Sequence, residues 1–124
     1  MSAVLAYLAA FLVAGWGVAH AIPTRRVLAG FEPISTDNRR IMAQEWLAEA
    51  VTMWGVASMV VVTTAVGGTA SDVTAWVYRV AAGLLVTLAV LTSVTGARTP
   101  VIWFKICPVL LTASAALLAV ASWP

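Results

Sequence analysis

Four apolar stretches, each near the length that crosses a bilayer, leave this chain few ways to fold in water. Residues 3–22 and 50–66 carry no Asp, Glu, Lys or Arg, 75–97 carry Arg79 alone, and 100–123 carry Lys105 alone. A helix rises about 1.5 Å per residue, so about twenty apolar residues match a hydrocarbon core of roughly 30 Å. The chain is 62% hydrophobic and 10% charged, whereas a soluble domain is roughly 45–50% apolar and about 25% charged. So little polar surface cannot cover a globule of 124 residues. The fold expected is all-α: a single-domain antiparallel bundle of four transmembrane helices, over about 3–22, 38–66, 75–97 and 100–123.

Local signals set those limits. The first run ends at Pro23. Ala19-His20-Ala21 also resembles the small-x-small cleavage site of a secretory signal. However, no positive charge precedes the run, and it exceeds the usual apolar core of about 7–15 residues, so it is read as a retained span. Residues 23–40 form a polar connection holding Arg25, Arg26, Glu32, Asp37, Arg39 and Arg40, with an N-cap cluster in Ser35-Thr36-Asp37-Asn38. The apolar part of the second helix, 50–66, is short, so tilt or immersion of 41–49 in the interface must make up the span. Gly67-Gly68 ends it. Gly96 and Arg98 mark the end of the third helix, and Thr99-Pro100 reads as N-cap and first residue of the fourth, in which Pro108 introduces a kink.

Orientation follows from the basic residues. Arg25, Arg26, Arg39, Arg40, Arg98 and Lys105 fall on one side of the four spans and Arg79 on the other. The positive-inside rule puts the six in the cytoplasm and both termini outside. The cell expected is a prokaryote, and the membrane its plasma membrane. Aromatic residues fit two interfaces, with Tyr7, Trp76, Tyr78 and Trp123 outside and Phe31, Trp46, Trp103 and Phe104 inside, while Trp16 and Trp54 lie deeper as packing residues. Seven basic residues confined to loops and helix ends suit topology better than a nucleic-acid footprint. One cysteine, Cys107, excludes an intrachain disulfide or an internal dithiol cycle, and beside Pro108 it reads as a packing residue on which no activity depends.

Candidate site residues gather at the cytoplasmic end. Glu45 and Glu49 are four apart and share a helix face that continues through Thr52, Val56 and Thr63. A carboxylate as deep as Glu49 must pair, take a proton or face the bundle interior; the bland alternative is a solvated helix start, favoured for Glu45. His20 closes the first helix one turn from Trp16 and is either a partner for Glu49 or a hydrogen-bonded structural residue. Lys105 either snorkels to the headgroups or pairs with Glu49 or Glu45. Ligand-binding candidates are therefore Glu49, Glu45, His20, Lys105 and Trp16. One histidine and one distant cysteine make no metal motif, and neither a phosphate loop nor a nucleophile elbow is present.

The order of Gly15-Trp16-Gly17, the Phe31 to Pro33 turn and Glu45 with Glu49 resembles that of DoxX-like small membrane proteins. That loose family has four helices, a glycine-containing first helix, a polar turn after it and an acidic residue early in the second. The likeness covers most of the chain as architecture. Its members range from a subunit of a sulfur-compound:quinone oxidoreductase to receptor-assembly chaperones, so the resemblance implies an architecture and leaves the activity open.

Three functional classes follow. The first is a non-catalytic subunit or accessory protein whose polar cluster supports packing or binds a lipid, quinone or other lipophilic molecule. The second is a small membrane enzyme using Glu49 with His20 or Lys105 as an acid–base pair on a lipophilic substrate. The third is a homo-oligomeric carrier coupled to protons through Glu49. Charges clustered at one interface weigh against the carrier, and the lack of a complete catalytic constellation weighs against the enzyme. The first reading is preferred. Its expected partners are the lipid bilayer and a lipophilic ligand or membrane protein, not nucleic acid; the sequence names no cofactor.

Overall fold

The computed structural model describes residues 1–31 and 33–123; Glu32 of the polar connection and Pro124 lie outside them. The chain forms α1 (Ser2–Ala21), α2 (Thr24–Ala29), α3 (Thr36–Gly67), α4 (Asp72–Val94), a 3-10 turn (Gly96–Arg98) and α5 (Ile102–Ala121). Among the described residues, four helices are long and apolar enough to cross a membrane: α1, α3, α4 with its 3-10 extension, and α5.

Each boundary has a local cause. Pro23 separates α1 from α2, and the Thr24 hydroxyl donates to the Ala21 carbonyl at 2.6 Å, satisfying one acceptor left open at the helix end. The short α2 lies within what the sequence suggested was a polar connection; with Pro23 ahead of it and Gly30 after it, six residues are enough for one and a half turns. Ser35 caps α3, its hydroxyl accepting from the Asn38 amide at 3.1 Å, with Asp37 in the favourable first turn. Two glycines are required at the far end for different reasons. Gly68 has φ of +67°, and a Cβ on Gly67 would stand 2.7 Å from the Thr74 hydroxyl of α4.

The start of α5 departs from expectation. Thr99 is extended (φ −82°, ψ 162°), as the residue before a proline prefers, so Pro100 precedes the helix and Val101 is the N-cap. The Thr99 hydroxyl instead serves the preceding 3-10 turn, donating to the Gly96 carbonyl at 2.7 Å. Phe104 lies over Gly96, where a Cβ would come within 2.8 Å of its ring.

α1 packs chiefly on α3 and α5, α4 on α5 and α3, and α2 on the start of α3. The seams mix many alanines with a few larger side chains at helical spacing: Ala6, Ala9, Ala10 and Val13 on α1, Ala50, Met53, Ala57 and Val60 on α3, Ala81, Ala82 and Leu85 on α4, and Leu111, Ala115 and Leu118 on α5. Small residues let helix backbones approach closely, which lipid-embedded bundles use in place of a hydrophobic drive. Many other bulky apolar residues point outward, with Phe11 74%, Val66 84% and Val109 69% exposed. An apolar surface this extensive on a small protein is suited to lipid rather than water.

Candidate binding site

α3 has 32 residues, about 48 Å of helix, against a hydrocarbon core of roughly 30 Å. Its uncharged part begins after Glu49, so Glu49 stands where charged and apolar helix meet. Here α3 passes the last turn of α1 at close range. Gly17 makes this possible: a Cβ there would lie 2.7 Å from Nε1 of Trp54 and 3.2 Å from the Ala50 carbonyl. The Trp54 indole donates across the seam to the Ala14 carbonyl at 3.2 Å.

One turn further along α1, His20 is 8% exposed. Its carbonyl, open at the helix end, accepts from Nε1 of Trp46 at 2.9 Å. Its imidazole stacks on the Trp46 ring, centroids 4.0 Å apart and planes 16° from parallel. Phe104 of α5 makes a T-shaped contact with Trp46, ring centroids 6.0 Å apart. His20 Nε2 stands 3.5 Å from Glu49 Oε2. That is ion-pair distance, longer than the usual hydrogen bond, and Nε2 is a buried nitrogen with no hydrogen-bond partner among the described residues. Trp16 lies on the same side of α1 and donates from Nε1 to the Cys107 sulfur at 3.2 Å, tying α1 to α5 beside this cluster.

In front of Glu49 is a cavity of about 290 Å³ between α2 and the start of α3. Val27 and Leu28 of α2, with Phe31 after it, form one wall; Ile41, Met42 and Trp46 of α3 form the other, and Glu45 and Glu49 supply its carboxylates. Glu45 is exposed, whereas the Glu49 side chain is 32% exposed. α2 turns Val27 and Leu28 inward and leaves Arg25 and Arg26 exposed.

The structure thus brings Glu49, Glu45 and His20 together, with Trp16 adjacent. Lys105 is not part of the group. It is exposed, and among the described residues no ion pair joins it to Glu45 or Glu49. The cause is helical phase: α5 turns Cys107, Leu111, Ser114 and Leu118 inward, and Lys105 lies on the opposite side with exposed Val109 and Thr112. The interior face of α3 likewise differs from the stripe drawn through Glu49, Thr52, Val56 and Thr63. Its buried residues are Ala50, Met53, Val56, Ala57, Val60 and Thr64, and the exposed Thr52 donates back to the Ala48 carbonyl at 2.8 Å. Trp46, expected as an aromatic residue of the interface, also stacks on the histidine, and Phe104 packs against Trp46. The available signal was the i, i+3 spacing of Trp46 and Glu49, which puts both on one helix face.

At the opposite end of the bundle Tyr78 is fully buried rather than interfacial. Its hydroxyl pairs with the Thr64 hydroxyl at 2.6 Å, and Thr64 also donates to the Val60 carbonyl. The Arg79 guanidinium lies over Trp76, 5.0 Å from the ring centroid, and donates to the Ser122 carbonyl at 3.3 Å. A second cavity near this end, about 370 Å³, is walled by Met59, Val73, Trp76, Val77 and Val80 with Asp72 at its edge. It offers apolar surface between α3 and α4 but no orphaned buried polar group, so the His20 end is the stronger candidate site. Among the described residues, no three of His, Cys, Asp and Glu come together as a metal site. No family model matches this chain, and no curated protein or solved structure is significantly similar to it.

Proposed function

We propose that this chain is a non-catalytic integral membrane protein, a subunit or accessory protein, that binds a lipophilic molecule at the cytoplasmic end of an antiparallel bundle. The observation that carries the proposal is the cavity between α2 and α3, with mostly apolar walls and with Glu45 and Glu49 among its lining residues. Sites for small molecules combine mostly apolar walls with a few convergent polar groups. The reading draws on the membrane as the source of the ligand, because the apolar part of α3 begins at this level.

The orientation rests on charge. Arg25, Arg26, Arg39, Arg40, Arg98 and Lys105 flank the cavity end, against Arg79 at the other. Reporter domains inserted in the 67–72 turn and fused after the last residue should both be extracytoplasmic; a cytoplasmic signal from either overturns the orientation.

Binding is tested by native mass spectrometry of the protein extracted from its own membranes into nanodiscs. A defined lipophilic mass should accompany the wild type and be lost from Val27→Trp, which fills the cavity from the α2 side. No retained mass, or equal retention by the variant, overturns the reading. The 3.5 Å approach of His20 to Glu49 favours a second reading, an enzyme using the two as an acid–base pair on the same molecule. It requires the molecule bound to Glu49→Gln to differ chemically from that bound to the wild type.

A further inference from the structure

We infer that α2 is an anchor for anionic phospholipid, with Arg25 and Arg26 on its outer side taking the headgroup phosphate at the membrane surface. The inference concerns the face of α2 turned away from the cavity and holds whatever the cavity binds.

Placement comes first. α1 is long and apolar enough to cross a membrane and ends at Ala21. α2 begins at Thr24, whose hydroxyl donates to the Ala21 carbonyl at 2.6 Å, so the short helix starts against the end of that span. Arg25 and Arg26 are the next two residues, which sets their guanidiniums at headgroup depth. Ile22 before α2 and Phe31 after it are both exposed. Open apolar side chains on either side of a basic pair suit the boundary between headgroups and acyl chains.

The pair is also held outward and left uncompensated. Val27 and Leu28 line the cavity against the start of α3, on the same side as the carboxylates of Glu45 and Glu49, while Arg25 and Arg26 are exposed. At this end of the bundle Arg40 is paired with Asp37 at 3.4 Å and His20 with Glu49 at 3.5 Å. Among the described residues, neither Arg25 nor Arg26 has an ion pair. Orientation alone does not require them: without the pair, Arg39, Arg40, Arg98 and Lys105 still outweigh Arg79.

A guanidinium fits a phosphate through parallel N–H bonds. Basic residues beside a membrane span gain about fivefold in affinity per charge at an anionic surface. Phosphatidylcholine carries a phosphate as well, but its own quaternary ammonium neutralises it. A headgroup of net negative charge is therefore selected.

The test is native mass spectrometry of the delipidated protein in neutral detergent. It is titrated with an equimolar mixture of dioleoyl phosphatidylglycerol and dioleoyl phosphatidylcholine, which share their chains and differ in headgroup charge. The wild type should retain phosphatidylglycerol at least about tenfold more tightly, and about 0.5 M salt should erase most of the preference. Arg25→Gln with Arg26→Gln should lower it at least about fivefold, whereas Arg25→Lys with Arg26→Lys should keep it within about twofold. Both positions are exposed and glutamine is a good helix former, so these variants keep the fold. Equal retention of the two lipids, or retention of neither, overturns the inference. So does a preference that survives the double glutamine change, or one lost equally in the double lysine variant. The cavity reading fails separately, by the loss or persistence of its own ligand in Val27→Trp.

Discussion

Where α3 meets α4, buried polar groups close on one another: Tyr78 pairs with Thr64, Thr64 with the Val60 carbonyl, and Thr74 donates to the Thr63 carbonyl at 3.3 Å. Where α1 meets α3, the pattern is left open. The Trp46 N–H and the His20 carbonyl satisfy each other, but the imidazole Nε2 has no hydrogen bond among the described residues, and Glu49, 3.5 Å from it, lines a cavity. Both ends hold helices together through polar groups, the Tyr78 hydroxyl and threonines at one and the Trp46 and Trp54 indoles at the other. A closed network inside an apolar bundle serves packing, since each member is satisfied by another. An open one keeps unspent hydrogen-bonding capacity, which is what a binding site requires.

The contrast is broken most severely at Tyr78. Tyr78→Ala removes a fully buried side chain and one of the two hydrogen-bond partners of the Thr64 hydroxyl, and should cost about 3–5 kcal/mol, read as a lower midpoint for unfolding by detergent titration. Ligand retention at the cavity should survive in the fraction that stays folded. A cost under about 1 kcal/mol would mean that this end is not the structural anchor argued here.

Gly17→Ala comes next. Its Cβ meets the Trp54 indole and the Ala50 carbonyl, so α1 and α3 must separate or Trp54 must swing out. Overpacking of this kind costs about 1–3 kcal/mol. Because Gly17 lies one turn below His20, the same variant should also weaken ligand retention. Gly15→Ala is the control: nothing lies within 4 Å of the position where its Cβ would be, and it should change the midpoint by no more than about 0.5 kcal/mol.

Glu49→Gln sharpens the comparison with the smallest change in stability. The pair with His20 is 3.5 Å long, and the Glu49 side chain is 32% exposed, so the loss should be about 0–1 kcal/mol while binding is lost. A loss of about 3–5 kcal/mol, the cost of breaking a buried pair, would make Glu49 structural and bring the two ends into the same class.

Much of this molecule could be read in one dimension. Apolar runs separated by Pro23, Gly67-Gly68 and the Gly96 region mark the four long helices, because span length and helix-breaking residues are local properties. The Ser35 cap was legible for the same reason. α2 was not: six residues carry too little periodicity to stand out from a polar loop. Thr99-Pro100 was misplaced because two local rules compete there. Proline favours the first helical turn but forces the residue before it out of helix, and with a 3-10 turn already closing at Thr99 the second rule prevailed.

The site divides along the same line. Glu45 and Glu49 announce themselves as carboxylates one turn apart at the edge of an apolar helix, and His20 as the histidine ending another. Which of them meet is a matter of rotation about each helix axis. In an apolar bundle hydrophobic residues occupy every face, so the sequence pattern carries almost no phase information. Lys105 shows the consequence: its depth suits a partner for Glu49, but its azimuth does not.

The sequence by itself determined four long helices, their approximate limits and the end of the bundle at which charge collects, because length, hydropathy and capping are written residue by residue. The tertiary structure alone decided that Gly17 admits Trp54 between α1 and α3, that His20 stacks on Trp46 beside Glu49 and that α2 folds back to wall a cavity. Those outcomes depend on helix rotation and on contacts between residues distant in the chain, set by how small side chains let the seams close.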